Sequence, residues 1–139
     1  MTKPILLFLG INVVFWLSHQ TYGYWPVYEV SYGAFSILAA IIAGTFLWLW
    51  VRRSTPLALG MAFGWAGAAS VMAWWWLYNH LGQPDLLKEN RLLFVFLSVY
   101  FVGAILHLEL IGKSFSRPRF AAIAPIAALF ISLGVTLFL

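Results

Sequence analysis

The stretch from Pro56 to Leu81, "PLALGMAFGWAGAASVMAWWWLYNHL", decides how this chain folds. It is long and apolar enough to cross about 30 Å of hydrocarbon at about 1.5 Å per residue. It also carries two stripes of small residues: Gly60, Gly64 and Gly67 form one, and Ala62, Ala66, Ala69 and Ala73 form the other. At about 100° per residue the two stripes lie on roughly opposite sides. In lipid, helices associate where small residues let their backbones approach. This helix is therefore expected to be central, contacted from both flanks.

The same spacing limits what "WWW" can do. Trp74 and Trp76 point in nearly opposite directions, so the three adjacent tryptophans cannot all line one pocket, and at least one must face lipid. Trp76 and His80 continue the alanine stripe, and they are expected to face the bundle interior or its mouth.

Composition sets the solvent. Of 139 residues, 63% are hydrophobic and 9% are charged. Soluble domains run nearer a quarter charged, and a chain this poor in charge cannot cover a water-facing surface. The bilayer is the expected solvent and a partner of the whole chain. The absence of cysteine excludes disulfides, thiolate metal sites and cysteine nucleophiles. The net charge of +4 is scattered over short loops rather than gathered on one basic face, which excludes nucleic acid as a partner.

Outward from 56–81 the chain divides into four more apolar segments, at 4–22, 27–51, 86–112 and 118–139. Pro4 and Pro26 suit first helical turns, Ser54 or Thr55 can cap the helix opened by Pro56, Gly82 can end it, and Asp85 can cap the next, which runs to Gly112. The first segment resembles a signal-peptide core but lacks a small-x-small cleavage site after it, so it reads as a retained helix. The expected fold is an all-α integral membrane protein, a compact bundle of five transmembrane helices forming one domain over 1–139. Small-residue stripes recur at Ser36, Ala40 and Gly44 and at Ala124, Ala128 and Ser132.

Five spans put the termini on opposite sides. Lys3, Arg52, Arg53, Lys113, Arg117 and Arg119 fall on one side, and Lys88 and Arg91 on the other. The positive-inside rule predicts a cytoplasmic N-terminus and an external C-terminus. Tyr22, Tyr24, Tyr28, Tyr32 and Tyr78, with Trp16, Trp25 and Trp74 to Trp76, gather at the outer interface, while Trp48 and Trp50 mark the inner one. Short loops and small size point to a bacterial inner membrane.

Few residues can carry chemistry. His19 and His80 lie at matching depth near Glu29 and Asp85, and two histidines on different helices are a candidate pair for a haem iron or a metal. No EF-hand, HExxH or CxxCH pattern supports that pair, and the sequence names no cofactor. His107 and Glu109 are separated by about 200° around their helix and cannot act as a local dyad. Glu109 stands four residues before Lys113, the favourable order for an ion pair. His107 shares a face with Tyr100 and Gly103, and that face is expected to meet Asn12. With Trp76, these residues are the material for a polar cavity or substrate site. Arg52, Arg53, Arg117 and Arg119 could clamp anionic lipid headgroups. Pro125 should bend the last helix.

No P-loop, nucleophile elbow, dinucleotide turn or paired acid is present, so nothing points to an enzyme. The reading that fits best is an accessory or assembly subunit of a larger membrane complex. A small homo-oligomeric transporter, channel or lipid carrier is the alternative, and a haem- or metal-binding membrane subunit using His19 and His80 is a third.

Overall fold

The computed structural model describes residues 2–114 and 120–138. Five long helices and one short one follow each other: α1 (Thr2–Tyr22), α2 (Tyr24–Arg53), α3 (Pro56–His80), α4 (Asp85–Lys88), α5 (Leu92–Ser114) and α6 (Phe120–Phe138). Of the described residues 92% are helical, and none is in a strand. α1, α2, α3 and the Asp85–Ser114 segment are each long and apolar enough to cross a membrane, and the described apolar part of α6, Ala122–Leu137, is shorter.

Local chemistry sets the breaks. Gly23, at φ +81°, turns the chain between α1 and α2, and its N–H donates to the His19 carbonyl. α2 starts at Tyr24, earlier than the expected Val27, because Pro26 falls in its first turn, where a missing N–H leaves no bond unmade. Ser54 ends α2 in the left-handed region, and Thr55 stands extended before Pro56 without a side-chain cap. Gly82, at φ +73°, closes α3, with Gln83 donating to the Tyr78 carbonyl. The expected single helix over 86–112 is interrupted. Asn90 Oδ1 accepts from the Leu92 N–H at 3.0 Å, so a side chain takes the place of the helical carbonyl and α5 starts afresh there.

α3 is central. Its glycine stripe meets α5 in an antiparallel register: Gly60 stands against His107, Gly64 against Gly103 and Gly67 against Tyr100. The steps are four and then three residues on both helices, the alternation of left-handed packing. A Cβ built on Gly103 would run into the main chain of Gly64, and one on Gly67 into that of Tyr100. The opposite flank meets α2. Ser36 Oγ donates to the Ala69 carbonyl at 3.0 Å, the one side-chain hydrogen bond between helices among the described residues, and the Trp76 indole covers Gly33.

The α2 stripe differs from expectation. Gly33, Ser36, Ala39 and Ala43 are buried, while Ala40 and Gly44 are exposed. Successive four-residue steps drift by about 40° each and leave the contact face, whereas mixed three- and four-residue steps stay on it. The stripe Ala124, Ala128, Ser132 is likewise left mostly uncovered, with Ala124 half-buried and the other two exposed.

The bundle is open rather than compact. Its principal contacts run α1–α2, α2–α3, α3–α5 and α5–α6, so α1 and α6 each lean on one neighbour. The chain exposes 10730 Å², against about 7,300 Å² for a compact soluble monomer of its mass. Its buried side chains are nearly all small, Trp74 being the exception.

Gly103→Ala should therefore separate α3 from α5, costing at least about 1–3 kcal/mol. Gly64→Ala should be tolerated, because nothing lies within 4 Å of its Cβ position. Thermal unfolding of the two variants in the same detergent checks this. Equal midpoints would contradict the close approach.

Candidate functional site

Two clusters of chemistry-bearing residues form on the two flanks of α3. Toward α2, at the end of the bundle near Gly82, Glu29 and Gly33 of α2 stand opposite His80 and Trp76 of α3. His80 Nδ1 lies 3.6 Å from Glu29 Oε2, both side chains being well exposed. That separation is too long for a hydrogen bond, and solvent weakens any attraction across it. Trp76 and His80 rings face each other at 6.3 Å between centroids. Tyr24, Tyr28 and Tyr32 run along the same end of α2, their rings 5.8 and 4.2 Å apart in succession.

The three tryptophans take three directions. Trp74 is buried and meets Phe96 of α5 edge-on, Trp75 is exposed beside Tyr78, and Trp76 turns toward α2. The flank reversal between Trp74 and Trp76 follows from helical spacing on a helix with neighbours on both sides.

Toward α5, a groove of about 460 Å³ runs between α3 and α5. Its walls include Met61, Trp65, Tyr100, His107 and Leu108, and Gly60, Gly64 and Gly103 contribute backbone. The glycines that bring the helices together thus also leave the space beside them. His107 Nδ1 is buried there without a partner, the one such side-chain atom among the described residues. An N–H at that position would be a buried donor with no acceptor, costlier than an unused lone pair. That disfavours the Nδ1–H tautomer and favours the Nε2–H one. His107 lines the groove, and its Nε2 is not among the buried unpaired atoms of the described residues.

That tautomer bears on cofactors. A histidine binding a metal or haem iron through Nε2 places its proton on Nδ1 and normally donates it to an acceptor. His107 has none for Nδ1, so its setting suits a hydrogen-bond donor rather than a ligand to iron. His80 is faced by Glu29, and the His19 carbonyl accepts from Gly23. Among the described residues, no group of three or more histidine or acidic side chains could hold a metal ion.

Tyr100 and His107 are brought into one groove; Trp76 stands on the other flank of α3. Asn12 is exposed on α1, whose principal contact is with α2, and its amide donates to the Phe8 carbonyl at 2.8 Å. It does not meet the His107 face, because its own helix satisfies it. Thr21, Ser31, Thr45, Ser70, Ser98 and Thr136 bond back to their own helices in the same way. Glu109 and Lys113 form the expected ion pair at 2.7 Å. Arg52 and Arg53 are exposed in the last turn of α2, while Arg117 and Arg119 lie outside the described residues. Trp65 is the site residue that sequence reading missed. Its one signal was a bulky ring set among small residues.

Histidine-selective ¹⁵N NMR should show the Nε2–H tautomer for His107, assigned by the loss of its signal in His107→Gln. A proton on Nδ1 would contradict the burial of that atom. No family model, curated protein or solved structure matches this chain.

Proposed function

We propose that this chain is an integral membrane protein acting as an accessory or assembly subunit of a larger membrane complex. The observation that carries the reading is the open bundle, in which α1 and α6 each have one principal neighbour among the described residues. Lipid covers apolar side chains at no cost, but it gains nothing from small ones, which serve helix contacts. The uncovered faces hold such residues: Gly10 of α1 and Gly44 of α2 have nothing near their Cβ positions, and Ala128 and Ser132 of α6 are exposed. These are seats for helices of other polypeptides.

The back-bonded hydroxyls and amides support the same reading. Side chains satisfied within their own helix allow a helix to face hydrocarbon or another helix, and they do not build a wet path. The partners are other apolar helices, and the setting is the bacterial inner membrane, with the N-terminus in the cytoplasm and the C-terminus outside.

Mild extraction followed by native mass spectrometry should give a reproducible mass of this chain with other polypeptides. A bare homo-oligomer would overturn the reading in favour of a self-assembling carrier. Orientation has its own test, made simple by the lack of native cysteine. In intact cells, Gln83→Cys should react with a membrane-impermeant maleimide and Ser54→Cys should not. The opposite pattern would invert the topology.

A further inference from the structure

The groove between α3 and α5 has a form that subunit assembly does not require. Its volume, about 460 Å³, falls in the range of small-molecule sites. Its lining is mostly apolar, yet three of the lining residues carry a polar group, the His107 imidazole, the Tyr100 hydroxyl and the Trp65 indole N–H. Gly60, Gly64 and Gly103 present main chain rather than side chains, so a flat body can lie close against the helices. Trp65 and Tyr100 add aromatic surface to the walls.

We propose that this groove binds a lipid-soluble molecule whose flat ring carries a carbonyl oxygen, as a quinone-type ring does. The His107 Nε2–H donates to that oxygen, and the ring lies over the glycine backbone between Trp65 and Tyr100. The lining selects against other occupants. A plain acyl chain would leave the Nε2–H without an acceptor in an apolar slot. An anionic headgroup would find no cationic side chain among the lining residues. A metal would need the proton on the wrong nitrogen, as argued above. The proposal does not depend on the accessory-subunit reading, since the groove lies within one chain.

Gly64 supplies the discriminating variant. It lines the groove and nothing lies within 4 Å of its Cβ position, so Gly64→Leu puts its side chain into the slot from a point where its own Cβ meets no neighbour. The chain, labelled with ¹⁵N at histidine and placed in phosphatidylcholine nanodiscs, is titrated with a decyl-substituted 1,4-benzoquinone. The expected result is a saturable shift of the His107 Nε2–H signal, with His19 and His80 unmoved. Gly64→Leu and His107→Leu should each weaken the interaction about tenfold or more, the latter by removing one hydrogen bond from an apolar site. His107→Gln, which keeps a donor, should retain most of it, as read by displacement of a labelled quinone.

Shifts of all three histidines that never saturate would mean partition into the bilayer and would overturn the proposal. So would an equal shift of His107 with decane, which has the chain but neither ring nor carbonyl. Should Gly64→Leu fail to fold, the comparison of quinone with decane on the unaltered chain still decides.

Discussion

Gly103 of α5 lies against the backbone of Gly64 so closely that a single methyl group would not fit, and Gly67 lies as closely against Tyr100. In water such an approach would be one packing detail among many, because burial of large side chains supplies most of the driving force. In an apolar solvent that force is nearly absent, and close van der Waals contact between backbones takes its place. The placement of α5 on α3 depends on these glycines. With α5 go the burial of Trp74 against Phe96, the seat of His107 beside Gly60, and the groove alongside.

The α2 flank is held differently. There the contact is made by alanines, by the Ser36 hydroxyl reaching the Ala69 carbonyl, and by the Trp76 indole lying over Gly33. A hydrogen bond buried between helices marks a register as well as a distance, since it is made to one carbonyl of the partner helix. The flank ends in Glu29 and His80, which are exposed and too far apart to bind each other firmly. The α5 flank has no comparable polar link. His107, which lines the groove there, has its Nδ1 buried without a partner. One flank of α3 is thus tied by a buried hydrogen bond, and the other is not.

The outer helices are held the least: α1 buries no residue, and the described residues of α6 are mostly exposed. α1 and α6 present apolar residues nearly all round, and neither is folded back to close the row. Asn12 and Thr21 of α1 and Thr136 of α6 donate to carbonyls of their own helix rather than to a neighbour. A chain built this way is settled by whatever surrounds it, which is why the small residues on its uncovered faces matter more than the large ones.

The two stripes of α3 were legible from spacing alone, because a helix with small residues on opposite sides has few uses other than the middle of a bundle. The glycine closing α3 and the Glu109–Lys113 pair were legible for the same local reason. The burial pattern of α2 was not. Ser36, Ala40 and Gly44 and the true set of Gly33, Ser36, Ala39 and Ala43 are both regular, and the choice belongs to the partner helix. Asn12 was read as reaching across to His107, but an amide can be satisfied four residues back in its own helix, and sequence does not distinguish the two. The open arrangement was beyond reach altogether. In lipid the faces toward solvent and toward neighbours are both apolar, so the pattern that orients helices in soluble proteins is missing. Sequence by itself determined the helices, their length and apolar character, and the central place of α3. The tertiary structure decided which small residues meet, how far the row closes, and that His107 keeps a buried bare nitrogen, because these depend on distances between helices that no local pattern encodes.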